Sequence, residues 1–392
     1  MENLVHKLIF FYKDNNIKKL SLNNYNLIFQ KSNNFNKIIR NPGIDLVRII
    51  GMFSIIISHI LGHGKVIDKY IIYKKQLKLL SIFCNWHIKS FALISGIVGY
   101  KSCKLSNLIY LYFCVIFYSS SISFIIKYYI SFILIKKKIF YFFPVIFQNY
   151  WYFSKYFGMF LFLPIINKGI SIINQSELKI IIINIIVIFI IWEDLINPST
   201  DVFNLNNGHS PLALLIIYII GAYIGKYKLY SYNHILFSVL YFCMFILSTL
   251  TCYYLFNLPK NSMKIYFILK NTLSFRAISI VPIIQSLSLV FFLSSIKYNK
   301  LLSKIITFLG PLTFGIYLIH EHNLIRKYII SNLFTKYSKY ITMQKLLYLI
   351  IKKAIAIFCI TIIIDYFRNL LFKFLKIRNL SIYIDKLEKN IL

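Results

Sequence analysis

The sequence predicts an all-α integral membrane protein, a bundle of about ten transmembrane helices, and three observations predict it. Of 392 residues, 58% are hydrophobic, gathered into runs long enough for a helix of about 20 residues to cross a bilayer core about 30 Å thick. The formal charge of +33 comes from lysines clustered between those runs, where they meet anionic lipid headgroups. The first apolar run also carries Asp45, Arg48 and His59 inside it. Nucleic acid is excluded as a partner, because no soluble basic face is left to carry it.

Residues 1–41 are polar, rich in Asn and Lys, and read as a cytoplasmic extension. No secretory signal is expected there, since the longest early apolar run, Leu8 to Tyr12, is flanked by Glu2 and Asp14. The ten spans fall at 44–62, 79–100, 105–126, 150–168, 178–196, 210–225, 234–256, 272–296, 304–320 and 346–372. A Lys-containing connection at 127–149 reads as re-entrant or interfacial, and Tyr150-Trp151-Tyr152 as an aromatic belt. No internal repeat suggests an inverted-repeat transporter. The membrane domain is set at 42–370, with a basic cytoplasmic tail at 371–392. The 193–209 loop is acidic and lacks Lys and Arg, which places it outside and both termini in the cytoplasm of a cell-membrane protein.

The stripe on the first span is the leading functional signal. Arg48 and His59 are eleven positions apart, close to three helical turns, so they share a face and lie roughly 16 Å apart along the axis. Asp45 falls on the same stripe. Charged groups in a membrane span cost at least about 2.5 kcal/mol each and mark interior or water-lined sites. Asp45 and Arg48 also fit an i, i+3 interfacial pair. His59 is expected deep in the membrane, as a general base toward a hydroxyl, with Arg48 holding a phosphate or carboxylate or orienting the imidazole.

His59 and His63 have the i, i+4 spacing of a metal clamp, but no Cys or carboxylate stands near them in the sequence, and no metal is expected. The six cysteines form no CxxC pair and read as small buried hydrophobes. In the second span, Ser95, Gly96 and Gly99 suit close helix approach. Trp86, His87 and Lys89 fit either snorkelling groups or a polar entrance. The third polar spot is GPLTFGIYLIHEHN at 310–323, with Tyr317 and His320 one turn apart and Glu321 and His322 at the exit. It reads either as part of the site or as an interfacial cluster. Arg276 and Asp365 stand as isolated charges facing the bundle. There is no P-loop, GxSxG, GxGxxG or HExxH pattern.

Taken as a set, these motifs resemble the acyltransferase 3 family of integral-membrane O-acyltransferases. The resemblance rests on Asp45, Arg48 and His59 at family spacing, FALISGIVGY, the aromatic start leading to Pro164 and Asn167, and FGIYLIH with Tyr317 and His320. It covers about 42–370 and is closest to members that decorate capsular or exopolysaccharide chains. It implies acetyl transfer from cytoplasmic acetyl-CoA to a hydroxyl of a surface or lipid-linked polysaccharide. His59 and Arg48 would be catalytic, Arg48 would also hold the donor, and Asp45, His87, Ser95, Tyr317 and His320 would support the site. Where many members carry an Arg after the Ser-Gly motif, this chain has Lys101 and Lys104. The competing reading is a multi-pass transporter or flippase of an anionic glycan precursor.

Overall fold

The computed structural model describes residues 40–101, 103–130, 144–147, 149–192, 201–231, 234–257 and 279–391. The 1–39 part of the extension, most of the 127–149 connection, Glu193 and Asp194, Arg276 and the start of the 272–296 span lie outside the described residues. The described chain from residue 42 onward is helical throughout, joined by turns and short 3-10 pieces. Seven of its helical segments are long and apolar enough to cross a membrane, and two shorter apolar helices, Pro211–Lys226 and Ile280–Ser295, accompany them.

Helix α1, Pro42–Gly62, begins with Pro42 and carries Asp45 in its first turn, where a fixed φ and a negative charge both suit a helix start. It is followed by α2 (Lys74–Phe83), α3 (His87–Gly99) and α4 (Leu105–Ile130). The expected 150–168 span is two pieces, α5 (Trp151–Phe160) and α6 (Leu163–Ile172), with Pro164 at the start of the second. Then come α7 (Gln175–Ile186), α8 (Pro211–Lys226), α9 (His234–Asn257), α10 (Ile280–Ser295), α11 (Lys300–Leu309) and α12 (Thr313–His320). The chain closes with α13 (Asn323–Tyr328), α14 (Met343–Phe374) and α15 (Ile377–Ile391). The tail thus contains a helix, α15, which packs on α4.

Helix α1 is the hub, packed against α3, α10, α11, α12 and α14. Burial agrees: 61% of its most apolar window is inside the protein, against 22% for α14, so α1 is a core helix and α14 presents most of its surface to lipid. Exposed Ile351, Ile355, Ile363 and Phe367 form that outer surface, as expected where the solvent is hydrocarbon.

The tightest seam joins α3 to α8. A Cβ on Gly96 would lie 2.1 Å from the Tyr218 carbonyl oxygen, and one on Gly221 2.1 Å from that of Leu93. Gly225, one GxxxG step on, meets the Ile97 carbonyl oxygen in the same way at 2.4 Å. Small residues let the two backbones touch, which is how helices gain packing where lipid supplies no hydrophobic drive. Asn167 pins α6 to this seam: its amide donates to the Gly99 carbonyl (3.2 Å) and its oxygen accepts from the Tyr218 hydroxyl (2.9 Å).

Candidate active site

The site is assembled where α1 ends and α12 turns into α13. Gly62 and Gly64 close α1, with the Gly64 N–H bonded to the His59 carbonyl (3.1 Å) and Lys65 in the left-handed conformation at φ 54°. Gly64 is required there by close approach, since a Cβ on it would lie 2.3 Å from the Ile60 carbonyl oxygen, and the stop fixes His59 in the last turn with His63 just beyond it. His59 therefore stands about 4.5 Å from the helix end, nearer the exit than the middle of the span.

Across from it, α12 stops at His320. The Glu321 N–H closes on the Tyr317 carbonyl (3.0 Å), and His322 caps α13 by accepting from the Leu324 N–H (3.2 Å). His322 also reaches Ser123 on α4 at 3.2 Å, so its two nitrogens fix the turn. That turn points His320 and Glu321 at His59. The His59 Nδ1 lies 3.1 Å from the His320 Nε2 and 3.0 Å from the Glu321 Oε2. The other carboxylate oxygen accepts from Arg326 at 2.6 Å.

These contacts set a tautomer. The His320 Nδ1 faces the Ile316 carbonyl at 2.6 Å, and a carbonyl only accepts, so that nitrogen carries a proton. A neutral His320 then offers a lone pair at Nε2, and the His59 Nδ1 must be the donor. The hydrogen-bond network thus assigns the proton of His59 to Nδ1 and leaves Nε2 as the basic nitrogen.

Electrostatics around Glu321 agree. Burial alone would raise its carboxyl, but His59, Arg326 and His320 around it hold it down at about 2, so it stays a carboxylate. His63 lies with its ring 4.9 Å from that of His59 and its Nε2 3.9 Å from the Glu321 Oε2. Burial, reinforced by His59, lowers the His63 imidazole to about 4.

Of the residues chosen from sequence, the structure brings together His59, His320 and, through ring packing, Tyr317, whose ring centroid is 6.4 Å from that of His320. Tyr150 is buried at 1% exposure, and its ring lies 6.1 Å from that of Tyr317. It turns inward instead of joining a lipid-facing belt. The Tyr150 hydroxyl is buried with no hydrogen-bond partner among the described residues.

Arg48 does not join this group. It pairs with the fully buried Asp45 three residues before it, near the opposite end of α1. Gly310 makes room for that carboxylate, since a Cβ there would lie 2.8 Å from the Asp45 Cγ. Ser95 spends its hydroxyl on the Phe91 carbonyl (2.9 Å), and His87 bonds to the Cys84 carbonyl at the break between α2 and α3. Lys89, fully buried, donates to the Asn85 carbonyl (2.6 Å). No hydrogen bond joins these three to His59 among the described residues.

At the end of the bundle where α1 begins and α3 ends, a cleft of about 580 Å3 is lined by Tyr100, Lys101, Cys103, Pro164, Asn167, Lys168 and Ser171. Its two lysines make it cationic.

Sequence reasoning placed Glu321 in a cluster that reads either as site or as interface, passed over Arg326, and saw no carboxylate near His59 and His63. A signal was present: in a chain with 45 basic and only 12 acidic residues, a Glu directly after a span histidine is conspicuous.

The arrangement defines a class, a polytopic membrane protein with an oriented, carboxylate-backed histidine at one end of its central helix. The model of the acyltransferase 3 family, an acyltransferase domain, matches residues 41–366, and the chain belongs to that family. No curated protein and no solved structure matches the chain.

Proposed function

We propose that this membrane acyltransferase is an O-acetyltransferase. It takes acetyl from acetyl-CoA and places it on a hydroxyl of a surface or lipid-linked polysaccharide. The observation that carries the reading is the orientation of His59: Nδ1–H is engaged by His320 and Glu321, and Nε2 is left to accept a proton.

In this reading the acceptor hydroxyl gives its proton to the His59 Nε2 as its oxygen attacks the thioester carbon. Glu321 stabilises the imidazolium that forms, and the coenzyme leaves as thiolate. The same nitrogen also permits a relay in which it takes the acetyl first and hands it to the hydroxyl. The donor's phosphates bind at the opposite end, where Arg48 and the Lys101–Lys168 cleft supply positive charge. Lysine serves there as a point charge, without the bidentate fork of an arginine. That end faces the cytoplasm, and His59 with the 201–209 loop faces outward, in the cell membrane.

The test is radiolabelled acetyl incorporation into glycan by membranes supplied with acetyl-CoA, normalised to protein in the membrane. His59→Asn keeps a polar side chain but no base, and is expected to lose at least about a hundredfold in transfer at unchanged abundance. An active Asn variant would refute the mechanism. Glycan movement across the membrane without acetyl-CoA consumption would favour the transporter reading instead.

A further inference from the structure

We propose that His59, His63 and Glu321 form a binding site for a divalent transition-metal ion, typified by zinc, and that its occupation switches acyl transfer off. Binding rests on geometry alone; the inhibitory consequence rests on the function proposed above.

Three observations carry the site. One ligand atom from each residue lies within 4.8 Å of the others; the Glu321 Oε2 is 3.0 Å from the His59 Nδ1 and 3.9 Å from the His63 Nε2. In a tetrahedral zinc site, bonds of about 2.0–2.1 Å place neighbouring ligand atoms about 3.3 Å apart, so small side-chain adjustments centre an ion among these atoms. The second observation is the Glu321 Oε2 itself, which is buried with no aligned hydrogen bond while the other oxygen is held by Arg326. The nearest donor to this oxygen is the His59 Nδ1–H at 3.0 Å, which is shared with His320; a buried carboxylate oxygen with only a shared donor is under-satisfied, and a cation would complete its shell. The third is access: the His63 side chain is 40% exposed, which opens a path from solvent and leaves a fourth coordination position free.

The donor set selects the ion. Two imidazoles and one carboxylate suit zinc and its neighbours, whereas calcium and magnesium call for a shell of oxygens. The helix stop at Gly62–Gly64 presets both imidazoles, so little chain entropy is lost on binding. Arg326 opposes a dication, but its charge is spent on the far oxygen of Glu321.

Inhibition follows from the tautomer. A metal on the His59 Nδ1 displaces the proton from that nitrogen, and a neutral coordinated imidazole carries its proton on Nε2. That is the nitrogen the transfer needs unprotonated. The ion also takes Nδ1 away from His320.

The experiment uses the detergent-purified full chain. Zinc is titrated in competition with a chromophoric chelator, and acetyl transfer is measured in parallel. The wild type is expected to bind one ion per chain, and His63→Ala and the shape-conserving His63→Gln to bind at least about tenfold more weakly. Loaded wild type is expected to lose at least tenfold in transfer and to recover on adding EDTA. Without zinc the His63 variants are expected to transfer like wild type, and to need at least tenfold more zinc for the same loss. Absence of stoichiometric binding, or equal binding by wild type and both His63 variants, would overturn the site. Zinc that binds but leaves transfer unchanged, or raises it, would overturn the switch. A zinc-free wild type that transfers nothing would sink the acetyltransferase reading, while the chelator titration would still decide the site.

Discussion

Two buried carboxylates on this molecule have been treated in opposite ways. Asp365 on α14 is fully buried, and both of its oxygens are occupied. Arg368 grips it with two parallel bonds, Nε to Oδ1 (2.9 Å) and Nη2 to Oδ2 (2.8 Å), and the Tyr118 hydroxyl donates to Oδ1 at 2.8 Å. Arg368 reaches on to the Tyr110 hydroxyl (3.0 Å), so the group ties α14 to α4. Asp365 is therefore not the isolated charge its sequence context suggests: its partner sits one turn along the same helix. Glu321 is nearly as buried, yet one of its oxygens faces imidazoles without an aligned bond. A saturated carboxylate holds helices together. One whose second oxygen meets only a shared histidine N–H has capacity left for chemistry.

The largest effect that would sharpen this contrast is on stability. Asp365→Ala strands the Arg368 guanidinium among apolar side chains, and breaking a buried pair costs about 3–5 kcal/mol. The expected outcome is a sharp fall in folded protein in the membrane, read by thermal unfolding in detergent, with transfer per surviving molecule unchanged. Normal stability in that variant would erase the distinction.

At the other carboxylate the effect is expected on rate. Glu321→Gln keeps size and burial but removes the charge that orients His59, and transfer is expected to fall by about a hundredfold at normal abundance. A pH signature accompanies it. The folded Glu321 carboxyl titrates at about 2, below its ordinary 4.5, so its stabilisation is fully present above about pH 4.5 and is lost as pH falls through the folded value. The stability gap between wild type and Glu321→Gln should persist down to about pH 4.5 and close in stronger acid. A gap that closes near neutrality would mean that the carboxylate is not held ionised.

The smallest effect concerns Arg48, the third ion pair. Arg48→Lys keeps the charge beside Asp45 but loses the fork, and is expected to lower transfer about tenfold with abundance intact. Wild-type transfer would reduce Arg48 to a partner for Asp45.

The sequence made the membrane class legible because hydrophobic run length is the signal a bilayer imposes, and it singled out His59 because an ionisable group in such a run is rare. It identified His320 by its turn from Tyr317. What it did not reveal was convergence. Glu321 and His59 are 262 positions apart, and only the turn between α12 and α13 aims one at the other. The two-piece helix at 151–172 was hidden for a related reason, since Phe162 and Pro164 sit within a continuous apolar run and composition alone does not mark the break. Ser95 and His87 stand out in one dimension; in three, the Ser95 hydroxyl bonds the Phe91 carbonyl and the His87 Nδ1 the Cys84 carbonyl.

The glycine seam between α3 and α8 has a mechanical consequence. At Gly96, Gly221 and Gly225 backbone lies on backbone, so no side chain there can change rotamer to let the helices slide or part. The pair, with α6 fastened to it through Asn167, forms the stator of the machine. The turn from α12 into α13 is held differently, by side chains: the His322 imidazole on Ser123 and Arg326 on Glu321.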